Sequence, residues 1–445
     1  MFAASKTDSV SGAAPDGQFN YVTMLLHGDG TNGAQNNTFL DSSTNNFTIT
    51  RNGNTTQGSF SPYGSNWSNF FDGTGDYLTT SDNAAWDLGS GAFTIESWVY
   101  PTASPAQPMI IGQWTSSYAW TMQLSNDGNR YLRALLHDGS FQDYVSSTSL
   151  QLNAWNHCAF VRESNTVSLY LNGARVYTTT FSGTVTNSTS AVSVGADASG
   201  GQPLQGYITN SRVVNGTALY SGTTYTVPTA PLTAVTNTSI LLNTVNAGIF
   251  DNAMMNNLET VGNAQISTSV KKYGTGSLAF DGTGDTLKIT PDVNVNMDFG
   301  TGPFTFECWI YRSSASGQIF IADFGVSSAN GWALYDEGSG GNMQFRIADT
   351  DRIAVNPIPA TTWTHVAIVR VGTTVTLYVN GTSAGSYASA GTDLKYTGTK
   401  YIGSQSGSSS YMNGYMDDIR ITKGFARYTT TFTPPTSALS DTGPY

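Results

Sequence analysis

Charged residues are scarce in this 445-residue sequence, and their scarcity excludes one large class of function. They make up 11% of the chain, whereas about 25% is usual for a globular protein. Acidic residues also outnumber basic ones, which gives a formal net charge of -11. Contact with nucleic-acid phosphates needs a basic surface, so we predict no nucleic-acid partner.

Cysteines, long apolar runs and good helix formers are also few. Cys158 and Cys308 cannot build a disulfide framework, and no run of about 18 apolar residues indicates a membrane-spanning helix. The segment 1–20 lacks an apolar core, so we expect no Sec signal peptide and no membrane insertion. Glycine, serine, threonine and asparagine are abundant instead, and they favour strands and turns over helices.

The sequence contains two copies of one unit. Six segments recur in the same order at offsets of 207 to 211 residues, a longer period than that of solenoid or propeller repeats. We therefore predict an N-terminal arm at 1–20 and two self-sufficient domains at 21–235 and 236–445. The matching segments are 70–78 and 279–287, 93–100 and 304–311, 155–162 and 363–370, 167–173 and 375–381, 206–220 and 414–428, and 225–232 and 432–439.

The pattern within each copy predicts a series of short strands. In the segment 167–171, aliphatic side chains stand at every second position, with serine and tyrosine between them, which is the period of a half-buried strand. Asn172-Gly173 and Asn380-Gly381 then supply the positive-φ residues of two-residue hairpin turns. We find no long stretch with a convincing helical period. The predicted fold class is all-β, with two tandem antiparallel β-sandwich jelly rolls.

The order of these motifs resembles a known superfamily. FDGTGDYL (71–78), FTIESWVY (93–100), W-x-H-x-A-x-V-R (155–162), LYLNG (169–173) and GYMDDIRI (414–421) are similar to motifs of the concanavalin A-like lectin/glucanase superfamily, and within it of laminin-G-like domains. The resemblance covers both copies, from about residue 21 to about residue 440, and implies jelly rolls of two curved antiparallel sheets. Tandem laminin-G-like chains of this kind also resemble structural proteins of tailed phages, particularly marine cyanophages.

Some members of this superfamily are glycoside hydrolases, which need two carboxylates about 5 to 10 Å apart. Its glucanases place several acids on alternate positions of one strand. The corresponding strands here carry one acid each, Glu96 and Glu307, so we predict that the protein is not an enzyme. Both copies also keep an arginine, Arg162 or Arg370. A Glu–Arg pair inside the fold is the favoured role of these acids, with sugar binding as the alternative.

Two histidines and two cysteines are predicted to belong to the core. His157 and His365 occupy the same position in both copies, two residues after a tryptophan. A lone histidine that enters a buried strand is usually packed and hydrogen-bonded, and no partner lies at metal-ligand spacing, so we expect no zinc site. Cys158 and Cys308 stand at non-equivalent positions with no visible base, which favours small core residues over nucleophiles.

Calcium is the cofactor that the resemblance implies, because laminin-G-like domains often hold Ca²⁺ near a sheet edge through aspartate and backbone oxygens. The candidate ligands in the second copy are Asp281 and Asp285 of the FDGTGD turn, with Asp417 and Asp418 of the last strand. The first copy has threonine and asparagine in place of the last two, so the second copy is favoured. The alternative is a hairpin turn whose aspartates cap backbone N–H groups.

Aromatic residues without a counterpart in the other copy are the candidate ligand-binding residues. They are Trp114, Tyr118, Phe141 and Tyr144, in predicted connections between strands, where binding residues concentrate. Such side chains serve sugar binding and protein contact alike, so both ligands stay open. The tryptophans that recur in both copies are predicted to be core residues: Trp98/Trp309, Trp120/Trp332 and Trp155/Trp363.

These observations predict a non-enzymatic structural protein on the surface of a phage virion, as part of the capsid or the tail. Its domains would present loops to glycan or protein on the host, and several copies on one particle would add avidity. The arm at 1–20 is the predicted contact with other virion proteins, and homo-oligomerisation is open. The alternatives are a decoration protein without a host ligand, a polysaccharide depolymerase and a bacterial adhesin, the last disfavoured without a signal peptide.

Overall fold

The computed structural model describes residues 15–442, apart from 30–32, 38, 41, 46, 59, 64–66, 245–257, 290–296 and 390. Strands form nearly all of its regular structure, and the helices of the described residues are two 3-10 turns, η1 (Phe19–Tyr21) and η2 (Ala84–Trp86). Neither of these turns has the length or apolar character that crossing a membrane requires. The architecture confirms the predicted all-β fold class.

Thirty strands are defined in the described residues. Those up to the end of the first copy, with the strand that follows it, are β1 (Val22–Leu26), β2 (Thr50–Asn52), β3 (Thr56–Gly58), β4 (Ser68–Asp72), β5 (Tyr77–Thr80), β6 (Phe93–Pro101), β7 (Met109–Trp114), β8 (Tyr118–Leu124), β9 (Tyr131–His137), β10 (Phe141–Ser149), β11 (Asn156–Glu163), β12 (Thr166–Leu171), β13 (Ala174–Thr180), β14 (Val192–Val194), β15 (Gln205–Asn215) and β16 (Thr238–Leu242). The remainder are β17 (Leu258–Val261), β18 (Gln265–Ser267), β19 (Ser277–Asp281), β20 (Thr286–Ile289), β21 (Phe304–Arg312), β22 (Ile319–Phe324), β23 (Trp332–Asp336), β24 (Met343–Ile347), β25 (Thr350–Val355), β26 (Thr364–Val371), β27 (Thr374–Val379), β28 (Thr382–Ala388), β29 (Lys400–Ile402) and β30 (Asn413–Lys423).

The described residues of 37–244 form the first compact unit, a sandwich of two antiparallel sheets. One sheet has the order β13-β12-β11-β6-β15-β4-β3, with β16 beside β15, and the other has the order β10-β9-β8-β7-β14-β5-β2. Successive side chains of a strand point to opposite faces, so Phe93, Ile95 and Val99 of β6 share one core with Ile111 and Met122 of the other sheet. This packing is that of two sheets face to face.

The second compact unit contains the described residues of 15–36 and 258–442. Its sheets have the orders β18-β19-β30-β21-β26-β27-β28, with β1 beside β30, and β17-β20-β29-β22-β23-β24-β25. Its core includes Phe304 and Trp332, and also Met24 and Leu26 from β1. The second unit therefore repeats the sandwich of the first, with one strand supplied from far away in the chain.

The compact units divide the chain by packing, whereas the boundaries predicted at 21–235 and 236–445 divide it by repeat. β1 opens the first copy, yet it pairs with β30 and sets Leu25 opposite Arg420. β16 opens the second copy and pairs with β15, with Leu241 opposite Arg212. The connection from β15 to β16 spans 216–237, whereas β1 is separated from β15 by most of the first copy. Pairing β15 with β16 therefore costs less loop-closure entropy than pairing it with β1, and β1 completes the second unit.

Part of the predicted N-terminal arm is packed against the second unit. The Asp16 carboxylate forms ion pairs with Arg420 at 3.1 Å and Arg427 at 2.8 Å, and the Asp16 N–H donates to the carbonyl of Thr442 at 2.8 Å. Asp16 and both arginines are largely buried, so these contacts fix the entry to β1. Residues 1–14 of the predicted arm lie outside the described residues.

Candidate functional site

Glu96 lies on β6 beneath the segment that follows β15 and accepts hydrogen bonds on both oxygens. Arg212 donates to Oε1 through Nε at 2.8 Å and Nη2 at 2.6 Å, and Tyr220 donates to Oε2 at 2.6 Å. His157 Nε2 lies 3.3 Å from Oε2. Burial by itself would raise the pKa of the Glu96 carboxyl, but His157, Arg212 and Tyr220 outweigh it and lower the pKa.

The second unit repeats this arrangement around Glu307. Arg420 donates to Oε1 at 3.0 and 2.7 Å, His365 Nε2 lies 3.2 Å from Oε2, and Tyr428 donates to Oε2 at 2.7 Å. Burial opposes ionisation, but the Arg420 charge and the bonds from His365 and Tyr428 hold the pKa of Glu307 far below its ordinary value. Both glutamates are fully buried and paired, which supports a structural role.

The predicted partners of these glutamates were wrong. Sheet register places Arg162 opposite Phe93 on β6, whereas Arg212 of β15 lies directly opposite Glu96. Arg162 instead donates to the carbonyls of Ser164 and Gly89, at 3.0 and 3.2 Å. Arg370 likewise binds backbone carbonyls in the second unit, among them that of Gly302. A fold-internal Glu–Arg pair is confirmed in each unit, but the arginine comes from the last long strand.

The histidines and cysteines are core residues, as predicted. His157 and His365 are buried, and their rings pack on Trp98 and Trp309 at centroid distances of 5.0 and 5.2 Å. Both thiols are free and buried, and burial raises the pKa values of Cys158 and Cys308, so neither is primed for nucleophilic chemistry. Of the recurring tryptophans, Trp120, Trp332 and Trp309 are buried, and Trp98, Trp155 and Trp363 are partly buried.

Asp281 and Asp285, two of the predicted calcium ligands, cap the turn between β19 and β20. Asp285 accepts the N–H groups of Asn263 at 2.8 Å and Asp281 at 2.7 Å, and Asp281 accepts the N–H of Thr283 at 2.7 Å. The first unit repeats these contacts with Asp76 in the place of Asp285. This geometry matches the alternative, a turn capped by aspartates.

Asp417 and Asp418 lie at an irregularity of β30 and hold neighbouring segments of the second unit. Asp417 Oδ2 accepts the N–H of Lys272 at 3.0 Å. Asp418 Oδ1 lies 2.6 Å from His27 Nδ1, and Asp418 Oδ2 accepts the N–H of Leu439 at 3.0 Å. These carboxylates therefore fasten the segment after β1 and the C-terminal segment to β30.

The four predicted calcium ligands are not brought together. Asp281 pairs with Asn413 across the sheet, and Asp417 lies four residues further along β30, about 13 Å away at the rise of a strand. No group of three or more histidine, cysteine, aspartate or glutamate side chains suited to a metal ion occurs among the described residues. The residues present do not fit the predicted calcium site, and calcium binding itself stays a prediction.

Three of the four predicted aromatic residues meet at one end of the seven-stranded sheet of the first unit. Trp114 ends β7 and Tyr118 begins β8, with ring centroids 4.9 Å apart. Phe141 begins β10 and lies 5.6 Å from Trp114 and 5.2 Å from Tyr118. His137, the cross-strand partner of Phe141, joins them at 5.2 Å. We name these four residues the aromatic cluster.

The aromatic cluster is open to solvent and bordered by small polar groups. The side chain of Phe141 is 59% exposed and that of Tyr118 is 36% exposed. Thr186 connects two residues of the cluster, because its hydroxyl lies 3.1 Å from His137 Nδ1 and donates to the Tyr118 carbonyl at 2.8 Å. Exposed hydroxyl and amide side chains follow nearby in the chain, at Ser116, Ser140 and Asn187.

The equivalent hairpin of the second unit, between β22 and β23, has no such cluster. Its segment 325–331 contains no aromatic residue. Gly325 and Gly331 close the hairpin so tightly that a Cβ at Gly331 would collide with the Gly325 carbonyl. Because the two units share one fold, this difference marks the cluster as a property of the first unit alone.

Tyr144 is a correction to the predicted binding set. It follows Phe141 by three residues on β10, and the two side chains therefore point to opposite faces of the sheet. The Tyr144 side chain is 5% exposed and packs on Phe160 and Phe181, at centroid distances of 6.1 and 6.4 Å. His137 was missed, although the Asp-Gly-Ser turn that follows it sets it opposite Phe141.

A cleft of about 500 Å³ is also present in the first unit, lined by small polar residues that include Asn45, Asn215 and Ser239. The Asn215 amide donates to the carbonyls of Ala85 and Asp87, at 3.1 and 3.2 Å. Asn45 donates to the carbonyl of Ser239 at 2.7 Å. These amides are engaged with the backbone, so the aromatic cluster is the stronger candidate.

Comparison with known families agrees with this architecture. A laminin G family model, described as concanavalin A-like lectin/glucanases superfamily, matches residues 72–219 and 281–425, one segment in each copy. Together the two segments cover more than half of the chain. The chain belongs to this superfamily. The laminin-G-like resemblance seen in the motifs is thereby confirmed, and the resemblance to phage proteins stays a prediction.

Several solved structures are similar to this member of the superfamily. A proposed carbohydrate-binding protein from Bacteroides ovatus is 16% identical, with a TM-score of 0.27, over 32% of this chain and 42% of that one. The LG1-3 region of the laminin alpha2 chain is 12% identical, with a TM-score of 0.36, over 80% and 62%. Domains LG4-5 of the mouse laminin alpha1 chain are 11% identical, with a TM-score of 0.28, over 96% and 97%. The match thus spans less than two thirds of the first two relatives, and no curated protein matches the chain.

Proposed function

We propose that the protein is a non-enzymatic binding component that recognises glycans through the aromatic cluster of its first unit. The observation that carries this proposal is the meeting of Trp114, Tyr118 and Phe141 on an exposed sheet end, where the second unit has two glycines instead. The non-enzymatic assignment is supported by Glu96 and Glu307, which are buried in ion pairs and offer no accessible carboxylate dyad.

The chemistry of the cluster suits a sugar ring. Aromatic faces bind the C–H groups of a pyranose by dispersion and apolar burial, and neighbouring hydroxyl and amide groups pair with its hydroxyls. Ser116, Ser140 and Asn187 carry such groups next to the cluster in the chain, although Ser140 and Asn187 also donate to Asp138 and Asp87. The rings are tilted by 48 to 73° to one another, so their faces point in different directions and can contact a sugar from more than one side.

We further propose that the protein acts on the surface of a virion, on the capsid or the tail, with residues 1–20 in contact with other virion proteins. The resemblance of the motif series to tailed-phage structural proteins supports this placement. A single exposed patch binds weakly, and many copies on one particle would raise the overall affinity by avidity.

A glycan array with the full chain tests the binding proposal, run with calcium and again with chelator. We expect specific glycan binding that Trp114→Ala and Phe141→Ala each weaken at least tenfold. Val145→Ala is the matched control, since Val145 is exposed on β10 outside the cluster. Binding that survives in the cluster variants would contradict the assignment of the site.

Two further assays separate the alternatives. Reducing sugar released from host envelope material would identify a depolymerase and overturn the non-enzymatic assignment. Particles that lack the protein and lose stability while still adsorbing to cells would identify a decoration protein without a host ligand. We expect no sugar release, and we expect adsorption to fall.

A further inference from the structure

Three amide side chains next to the aromatic cluster are each bound to a carboxylate. Gln113 precedes Trp114, Gln142 follows Phe141, and Asn187 follows the threonine that holds His137. Each amide nitrogen donates to an aspartate: Gln113 to Asp82 at 2.8 Å, Gln142 to Asp138 at 3.1 Å and Asn187 to Asp87 at 3.0 Å. Three carboxylates are therefore each held by an amide whose residue adjoins Trp114, Phe141 or Thr186 in the chain.

The negative charge of these groups is not neutralised. None of Asp82, Asp87 and Asp138 forms an ion pair within the described part of the chain, and their bonds come from neutral amides and hydroxyls. Burial, followed by the charge of Asp82, raises the pKa of Asp87, which indicates that these two carboxylates repel each other. The charges therefore add.

Basic residues are few in the first unit, and three of its arginines are engaged in contacts within the fold. Residues 37–244 contain no lysine and only six arginines. Arg133, on the same hairpin as the cluster, is held by Asp143 in a bidentate pair at 2.8 and 2.7 Å. Arg162 and Arg212 are buried and engaged inside the fold. Recognition of carboxylate, sulfate or phosphate groups normally uses such cations, and Arg133, Arg162 and Arg212 are committed to other contacts.

We propose that the aromatic cluster selects uncharged sugars and discriminates against sugars that carry a carboxylate, sulfate or phosphate group. This inference rests on the proposed function and names its ligand class. Stacking on Trp114, Tyr118 and Phe141 is equally available to neutral and acidic sugars, so the discrimination comes from charge alone. Unit charges about 10 Å apart repel weakly in water, and three such repulsions together correspond to a preference of about tenfold for the neutral form.

A cationic ligand fits less well. Cages for quaternary ammonium groups surround the cation with separate aromatic faces. The rings here contact each other at centroid distances of 4.9 to 5.6 Å, which leaves no space between them for a cation. The carboxylates also point to amide donors instead of toward the rings.

The test uses the full chain and an array of matched glycan pairs, in which each neutral oligosaccharide is also present in sialylated, sulfated and phosphorylated form. We expect the neutral members to bind about tenfold more tightly at low salt, and less than that at high salt, because ions screen the repulsion. Asp87→Asn with Asp138→Asn should bring the acidic members close to the neutral ones. Because these aspartates also hold Asn187 and Ser140, the quantity compared is the ratio of acidic to neutral binding within each protein. Asp127→Asn is the control, since Asp127 is exposed at the opposite end of β8 and β9.

The possible outcomes distinguish the selectivity for uncharged sugars from the proposed glycan-binding function on which it rests. Acidic glycans that bind as tightly as neutral ones would overturn the selectivity, while binding that still depends on Trp114 would uphold the site. No glycan binding, or binding that ignores Trp114 and Tyr118, would overturn the proposed function and the inference with it. Selectivity that Asp87→Asn with Asp138→Asn leaves intact would overturn its electrostatic origin.

Discussion

His27 and Asp418 are 391 positions apart in the sequence, and His27 Nδ1 lies 2.6 Å from the Asp418 carboxylate. Asp418 has a positive φ of 48°, an irregularity that turns its side chain toward the segment following β1. The equivalent residue of the first unit, Asn210, has the same conformation with φ of 55°. The contact therefore holds β1 beside β30, at the residue of β30 whose positive φ directs its carboxylate toward His27.

This relationship predicts that damage to β1 weakens the second unit. Leu26 of β1 belongs to the core of the second unit, and Leu242 of β16 belongs to the core of the first. Leu26→Ala should lower the free energy of unfolding by about 2 to 5 kcal/mol, as cavities in packed cores do. Hydrogen exchange should rise within 258–442, although the substitution lies in the first copy of the sequence.

Leu242→Ala is the matched control, because it removes the same side chain from the equivalent strand. It should raise hydrogen exchange within 37–244 instead. Leu26→Ala with faster exchange confined to 37–244 would show that β1 stays with its own repeat, and would contradict the strand assignment.

Much of the fold could be predicted from the sequence because its signals are local. Alternation along 167–171 and the Asn-Gly turns depend on neighbouring residues alone, and the structure has β12 and the turn before β13 at those positions. The exchange of β1 and β16 could not be predicted in the same way. The two strands have similar apolar sequences, and which edge each joins depends on loop closure in three dimensions.

The candidate site could likewise be predicted only where the signal is local in the sequence. Trp114, Tyr118 and Phe141 were found because they lack a counterpart in the second copy. Tyr144 was included with them although its spacing from Phe141 already placed it on the other face of a strand. Arg212 was missed as the partner of Glu96, because pairing across β6 and β15 joins residues 116 positions apart.

Tyr144→Phe distinguishes the corrected site from the predicted one. The Tyr144 hydroxyl has no hydrogen-bond partner among the described residues, and burial raises its pKa to about 12. Removing an unpaired buried hydroxyl should leave stability unchanged or raise it by about 1 kcal/mol. Glycan binding should stay at the wild-type level, in contrast to Trp114→Ala. A loss of affinity in Tyr144→Phe, measured on the same array, would return Tyr144 to the binding set.

The buried glutamates predict an acid-sensitive second unit. The pKa of Glu307 is lowered in the folded state, so the folded protein binds fewer protons than the unfolded chain in acid. The stabilisation is fully present above the unfolded pKa of about 4.5 and is lost as the pH falls toward the folded pKa. The urea midpoint of the second unit, measured by hydrogen exchange within 258–442, should therefore fall as the pH drops below about 4.5.

Glu307→Gln should reduce that decline, because the titrating group is gone. At neutral pH the same change should cost about 3 kcal/mol, since Arg420 keeps its buried charge and loses its main partner. Glu163→Gln is the control, since Glu163 is exposed and should change neither property. A Glu307→Gln protein with the wild-type acid profile would show that other carboxylates control the transition.

A single hydroxyl distinguishes the two buried histidines and gives a paired prediction. In the first unit the Tyr225 hydroxyl is hydrogen-bonded to His157 Nδ1, whereas Phe432 takes its place in the second unit and His365 Nδ1 has no partner among the described residues. The surroundings match closely, with ring centroids 5.7 Å apart for His157 and Tyr225 and 5.8 Å for His365 and Phe432.

Phe432→Tyr should therefore supply the missing partner and stabilise the second unit by about 1 kcal/mol, while Tyr225→Phe should destabilise the first by about 1 to 3 kcal/mol. Phe432 is only partly buried, so a hydroxyl added to its ring does not have to enter a closed core. Urea unfolding with hydrogen exchange in each unit measures both effects, and a ring-nitrogen NMR shift of His365 reports the new bond. Destabilisation by Phe432→Tyr without that shift would mean that the hydroxyl does not reach the ring, because the stacked Tyr428 holds Phe432 in a different place.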